Sequence, residues 1–136
     1  MQSRTIKSIV AAALAAAVVG MPAARAQLDY WIAGIWDTSE GQMSIEHHDP
    51  DVSGTYSQDR GRIFGTLDGH QLTGFWVEQS SGVKCDAPRD GSYHWGRIVF
   101  DFDAEFDAFS GTWGYCDQNP SRSWTGALQA AAKLLR

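Results

Sequence analysis

A five-residue motif, apolar-x-Gly-x-apolar, recurs along the chain. It occurs at Ile32-x-Gly34-x-Trp36, Val52-x-Gly54-x-Tyr56, Ile63-x-Gly65-x-Leu67, Leu72-x-Gly74-x-Trp76, Phe109-x-Gly111-x-Trp113 and Trp124-x-Gly126-x-Leu128. A period of two places each glycine and its apolar flanks on one face of a β-strand. The intervening positions favour Ser and Thr (Ser53, Thr55, Thr66, Thr73, Ser110, Thr112, Thr125), which suits a solvated face. Glycine in mid-strand costs about 0.5–1 kcal/mol relative to alanine, so its repeated use needs a geometric reason. Without a side chain the sheet coils tightly, and a neighbouring Trp or Tyr ring has room to lie against backbone.

Two further segments alternate in the same way. Gln42–Glu46 puts Met43 and Ile45 on one face, and Tyr93–Asp103 sets Ile98, Phe100 and Phe102 against Arg97, Asp101 and Asp103. The predicted strands are therefore 31–38, 42–47, 52–58, 61–67, 71–78, 93–102, 108–115 and 122–128. Turn signals separate them: Ser39-Glu40-Gly41, Asp49-Pro50-Asp51, Asp59-Arg60-Gly61, Asp68-Gly69 and Asn119-Pro120-Ser121. Asp68-Gly69, between two glycine-centred strands, marks a hairpin. Short strands with short links predict an all-β, antiparallel, up-and-down meander closed into an eight-stranded barrel. A two-sheet β-sandwich is the alternative arrangement of the same strands. The longest connection, Gln79–Ser92, is expected over one barrel mouth, and the tail at 129–136 is expected to be short and helical or frayed.

The first 26 residues have a different character. Arg4 and Lys7 precede an apolar Ala-rich run over Ile9–Val19, and Ala24-Arg25-Ala26 supplies a small-x-small cleavage pattern. This is the form of a secretory signal peptide, and its run is shorter than the roughly 20 residues a spanning helix needs. It predicts a β-domain at 27–128, periplasmic or secreted, with no membrane insertion after cleavage. The leader holds Arg4, Lys7 and Arg25 and no acid, so 8 of the 11 basic residues and all 16 acidic ones fall after it. An acidic surface of that kind repels nucleic acid and anionic lipid, which are bound through Lys and Arg. No strand, Gly-rich loop and helix unit for nucleotide binding is present.

Cys85 and Cys116 both follow the export signal and are the only cysteines. Two thiols in an oxidising compartment pair most simply with each other. The closed loop of about 32 residues stabilises the fold by roughly 3.7 kcal/mol in the chain-entropy model. The spacing is not the Cys-x-x-Cys of a redox pair.

Among the remaining candidates, Trp36, Tyr56, Trp76, Trp113, Tyr115 and Trp124 share the glycine-bearing face. They form either the wall of a ligand pocket or a filled core, because an eight-stranded barrel is only just wide enough to be packed solid. Asp101-x-Asp103-x-Glu105-x-Asp107 alternates like a calcium loop, but Phe106 and Thr112 stand where an EF-hand requires Gly and Glu. A solvated turn is expected there. His47 and His48 are adjacent in a strand and face opposite ways, so no metal site is assigned to them. Glu78 and Asp101 are one of many acid pairs available, and no nucleophile elbow or His-Glu-x-x-His motif is present. No enzymatic activity, no cofactor and no metal are therefore expected.

At residue level, Gly34-Ile35-Trp36, Gly41 and Asp51-Val52-Ser53-Gly54-Thr55-Tyr56-Ser57 resemble the first three strands of the avidin/streptavidin family. Leu72-Thr73-Gly74-Phe75-Trp76 resembles its fourth, and Trp113 and Trp124 fall where later strands of that family carry tryptophans. The Gly-x-Trp start is shared with lipocalins, so the wider resemblance is to eight-stranded, lipocalin-like (calycin) barrels. The resemblance implies that Tyr56 directs its hydroxyl at a ligand and that Trp95, Trp113 and Trp124 box it. It also implies a possible oligomer, the avidin tetramer. The family's first-strand Asn and following Ser fall at Thr38 and Gln42, and its last-strand Asp has no counterpart. These departures fit a related pocket for another small ligand better than one for biotin. The resulting expectation is an exported, non-enzymatic barrel binding a small, flat or partly apolar molecule. Trp36, Tyr56, Trp76, Trp95, Trp113 and Trp124 would be its aromatic contacts, and Thr38, Gln42 and Arg122 its polar ones. The alternative is a packed β-barrel acting as a protein-interaction or protease-inhibitor module in the cell envelope, with Gln79–Ser92 as the contact.

Overall fold

A computed structural model of the chain describes residues 31–132. The predicted leader, and the tail beyond 132, lie outside the described residues. The eight strands are β1 (Gly34–Thr38), β2 (Gly41–His48), β3 (Asp51–Tyr56), β4 (Gly61–Asp68), β5 (Gln71–Glu78), β6 (His94–Phe102), β7 (Ala108–Trp113) and β8 (Arg122–Ala131). Each pairs antiparallel with the next, and β8 returns to β1, so the sheet closes into an up-and-down barrel with no free edge. A 3₁₀ turn, Gln58–Arg60, shortens β3 relative to the sequence expectation. The β4–β5 hairpin forms as expected and turns through Gly69, whose φ is +61°.

The glycines face aromatic rings across the strand pairs. Tyr56 pairs with Gly61, Trp76 with Gly96, Phe100 with Gly111 and Phe109 with Gly126. A Cβ on any of these four glycines would overlap the ring or indole nitrogen of its partner. Each ring therefore lies flat over the neighbouring strand, which is how a narrow barrel accommodates so many aromatic side chains. Gly65 and Gly74 pair with each other, and a Cβ on either would run into the opposite backbone.

Inside, Met43, Ile45, Ile63, Ile98, Phe100 and Phe109 are buried and form a solid core with Trp36 at its centre. Phe100 and Phe109 stack with centroids 4.1 Å apart. One end of the barrel is plugged. Phe106, from the β6–β7 turn, lies between Trp31 (4.8 Å) and His70 (4.3 Å), nearly parallel to both. In the same turn the Asp103 carboxylate accepts the backbone N–H groups of Asp107 (2.8 Å) and Ala108 (3.3 Å). This gives part of the acidic alternation a local structural role. His47 is buried and its Nε2 stands 3.2 Å from Asp49, whereas His48 is exposed on the opposite face.

A second, smaller core lies outside the barrel wall. Val77, Cys85 and Trp95 are buried there with Phe64 and Phe75, beneath the long 79–93 connection. The Arg89 guanidinium lies 3.5 Å from the Phe75 ring centroid and closes this layer. Cys85 and Cys116 form a disulfide, with Cα atoms 5.6 Å apart, tying the long loop to the β7–β8 connection. The bridge fits an oxidising compartment. Among the described residues, no helix is long and apolar enough to cross a membrane.

The C-terminal segment differs from its expectation. Leu128, Ala131, Ala132 and Leu135 carry a helical spacing, but residues 129–131 continue β8. The first strand needs a partner on its outer side to close the barrel, and β8 supplies it past a register shift at Ile35/Trp36. Tertiary pairing overrides a short local preference here.

Candidate functional site

The end opposite the plug is open. There the C-terminal ends of β1, β3, β5 and β7 meet the N-terminal ends of the other strands. A cavity of about 430 Å³ occupies this mouth. Its aromatic wall consists of Trp76, Trp113, Tyr115 and Trp124, and its charged rim of Glu40, Asp59, Glu78 and Arg122.

Two of these rings, Trp76 and Trp124, are buried with their indole N–H groups already satisfied. Trp76 Nε1 donates to the Gly114 carbonyl (2.9 Å), and Trp124 Nε1 donates to Thr38 Oγ1 (3.1 Å). Trp76 meets both Trp113 (5.8 Å) and Tyr115 (5.9 Å) edge to face, and Tyr56 meets Trp124 in the same way at 5.3 Å. Such edge-to-face contacts fix ring orientation. The accessible aromatic surface is therefore that of the half-buried Trp113 and Tyr115, set on the buried Trp76 and Trp124.

Glu78 is the most unusual group at the rim. It is half-buried, and the Tyr56 hydroxyl donates to its Oε2 at 2.6 Å. Burial pushes its carboxyl above the ordinary glutamate range; the Tyr56 hydrogen bond pulls it down, while Asp59 and Glu40 push it up. The Tyr56 phenol is raised above its own usual range by burial, by its bond to Glu78 and by the same surrounding acids. On the other side of the mouth, the Arg122 guanidinium lies 5.3 Å from the centroids of both Trp113 and Tyr115.

The expected site residues separate into three groups. Trp76, Trp113, Arg122 and Trp124 line the cavity together. Tyr56 and Thr38 stand behind it. The Tyr56 hydroxyl is given to Glu78, and the Thr38 hydroxyl donates to the Gly41 carbonyl (2.6 Å) while accepting from Trp124. Trp36, Gln42 and Trp95 are not in the mouth. Trp36 is fully buried deeper in the barrel against Phe102 and Phe109, its Nε1 bonded to the Ile32 carbonyl. Gln42 is on the outer face, bonded to Gln129, because alternation sets it opposite to Met43. Trp95 points outward into the second core, donating to the Ala87 carbonyl, because it alternates with Ile98, Phe100 and Phe102.

Sequence reasoning left Glu78, Glu40 and Asp59 out of the site, and named Tyr115 among the inward-facing rings without making it a contact. For Glu78 a signal existed: it shares the parity of Trp76, two residues earlier, and so faces inward. Asp101, once paired with it as a candidate, is exposed and bonded to Gln71. Ser81 and His94 also meet near the mouth (Oγ to Nδ1, 3.0 Å). The serine hydroxyl donates to the Val83 carbonyl (2.8 Å), and the ring nitrogen lies 3.3 Å from that same oxygen. The pair tethers the loop. Among the described residues, no group of three metal-ligating side chains converges. The chain matches no family model, no curated protein and no solved structure.

Proposed function

We propose that the chain is an exported, non-enzymatic binding barrel, in the manner of avidin- and lipocalin-like proteins, that holds a small, flat or partly apolar molecule in its open mouth. The observation that carries this reading is the cavity of about 430 Å³ at the unplugged end, with aromatic side chains in its wall. Its size falls within the roughly 300–1,000 Å³ of small-molecule sites. Its composition fits the same use, with the half-buried Trp113 and Tyr115 rings in the wall and polar and charged groups around them. The packed core beneath it confines the ligand to the upper layer of the barrel.

Native mass spectrometry of the protein from its exporting host tests this reading. Extra mass that disappears on denaturation supports a bound ligand. A bare mass, unchanged after incubation with a small-metabolite library, removes it. The same spectrum counts subunits.

One observation favours a second reading, a protein-interaction or inhibitor module. Val83 and Tyr93 are large hydrophobic residues exposed on the disulfide-tethered loop. Replacing both by Ser abolishes partner capture on that reading and leaves small-ligand binding in the mouth intact.

A further inference from the structure

The charge at the mouth has a direction. Glu40, Asp59 and Glu78 oppose Arg122 among the lining side chains, and Arg122 is exposed at the outer edge. Glu78 is half-buried beside the aromatic wall, and among the described residues it has no ion-pair partner. Tyr56 is bonded to one of its oxygens. A carboxylate withdrawn from water and left without a counter-charge gains when a cation enters beside it.

The aromatic wall points the same way. Trp113 and Tyr115 already have a guanidinium over their faces, that of Arg122. Indole and phenol faces attract cations through their quadrupoles, most strongly where water is displaced. The carboxylate and the ring faces together form a site for positive charge attached to an apolar body.

Resting on the reading of the mouth as a ligand pocket, we infer that its ligand is a small organic cation, an ammonium or guanidinium group on a flat or aromatic body, with the positive charge seated at Glu78. The apolar body lies against Trp113 and Tyr115, the half-buried rings of the wall, above the buried Trp76 and Trp124. Arg122, of the same charge as the ligand, disfavours a second positive group at the outer edge.

Isothermal titration calorimetry with three probes sharing one ring tests this: phenethylamine, 2-phenylethanol and 3-phenylpropionate. The amine is expected to bind about tenfold more tightly than the alcohol, as a charge-assisted contact at a partly desolvated site provides. Glu78→Gln, checked for folding by near-ultraviolet circular dichroism, should erase that preference. Arg122→Gln should tighten the amine, which keeps the test decisive if the first variant does not fold. Equal affinities for amine and alcohol, or tightest binding by the carboxylate, overturn the cation assignment and leave the pocket standing. Binding of none of the three overturns both.

Discussion

Tyr56 donates its hydroxyl to Glu78 across an intervening strand. The two residues belong to β3 and β5, and the tyrosine ring passes over β4 at Gly61, its own cross-strand partner. Backbone geometry at one glycine thus sets the reach of a tyrosine and the surroundings of a carboxylate. The consequences are measurable.

Gly61→Ala places a methyl group where the Tyr56 ring lies. The ring must swing away, breaking its bond to Glu78 and its edge contact with Trp124. The expected destabilisation is about 1–3 kcal/mol, the usual cost of overpacking. Urea denaturation measures it, and the phenol absorbance of Tyr56 should titrate closer to its ordinary value.

Glu78→Gln is expected to stabilise the protein at neutral pH. Burial raises the carboxyl, so the folded state prefers its protonated form. That preference costs nothing below the unfolded-state value of about 4.3 and appears as a penalty as pH rises through the raised folded-state value. Thermal unfolding should therefore show a higher Tm for the variant at about pH 7 and converge with the parent near pH 3. A variant less stable at neutral pH contradicts the assigned direction. Greater stability accompanied by weaker binding is the usual trade at a binding site.

Removing the disulfide through Cys85→Ser and Cys116→Ser should cost roughly 3–4 kcal/mol by the loop-entropy argument. The barrel ladder does not depend on the bridge, so β-sheet circular dichroism should persist. Limited proteolysis is expected to cut first within 79–93, where the outer core loses its anchor at Cys85.

Phe106→Ala removes the centre of the Trp31–Phe106–His70 stack. A loss of about 3 kcal/mol is expected for truncating a phenylalanine at this depth. The mouth lies at the other end, so probe affinity should stay within about twofold, as distant sites contribute independently.

Much of the scaffold is legible in the sequence. Six glycine-centred repeats marked six strands, and alternation in Gln42–Glu46 and Tyr93–Asp103 marked the other two. The predicted rooms for aromatic rings beside glycine are present, now with specific partners such as Trp76 and Gly96. The candidate site was harder to read, for two physical reasons. Period-two alternation reports which face a residue occupies and nothing about its depth along the barrel. Trp36 and Trp76 share an inward face, yet one is in the packed core and the other at the mouth. Trp95 and Gln42 were placed by resemblance, although their parity put them outside. The extension of β8 was hidden for a third reason: closing the barrel depends on a partner far away in sequence.

The plug formed by Trp31, Phe106 and His70 also bears on exchange. A vessel with one opening has no through-path, so any occupant enters and leaves by the same route. Two ligands then compete strictly, because the second waits for the first to depart. A ligand in the mouth would pass Ser80, Ser81, Gly82 and Tyr115, which belong to the two loops that the Cys85–Cys116 bridge joins outside the barrel wall.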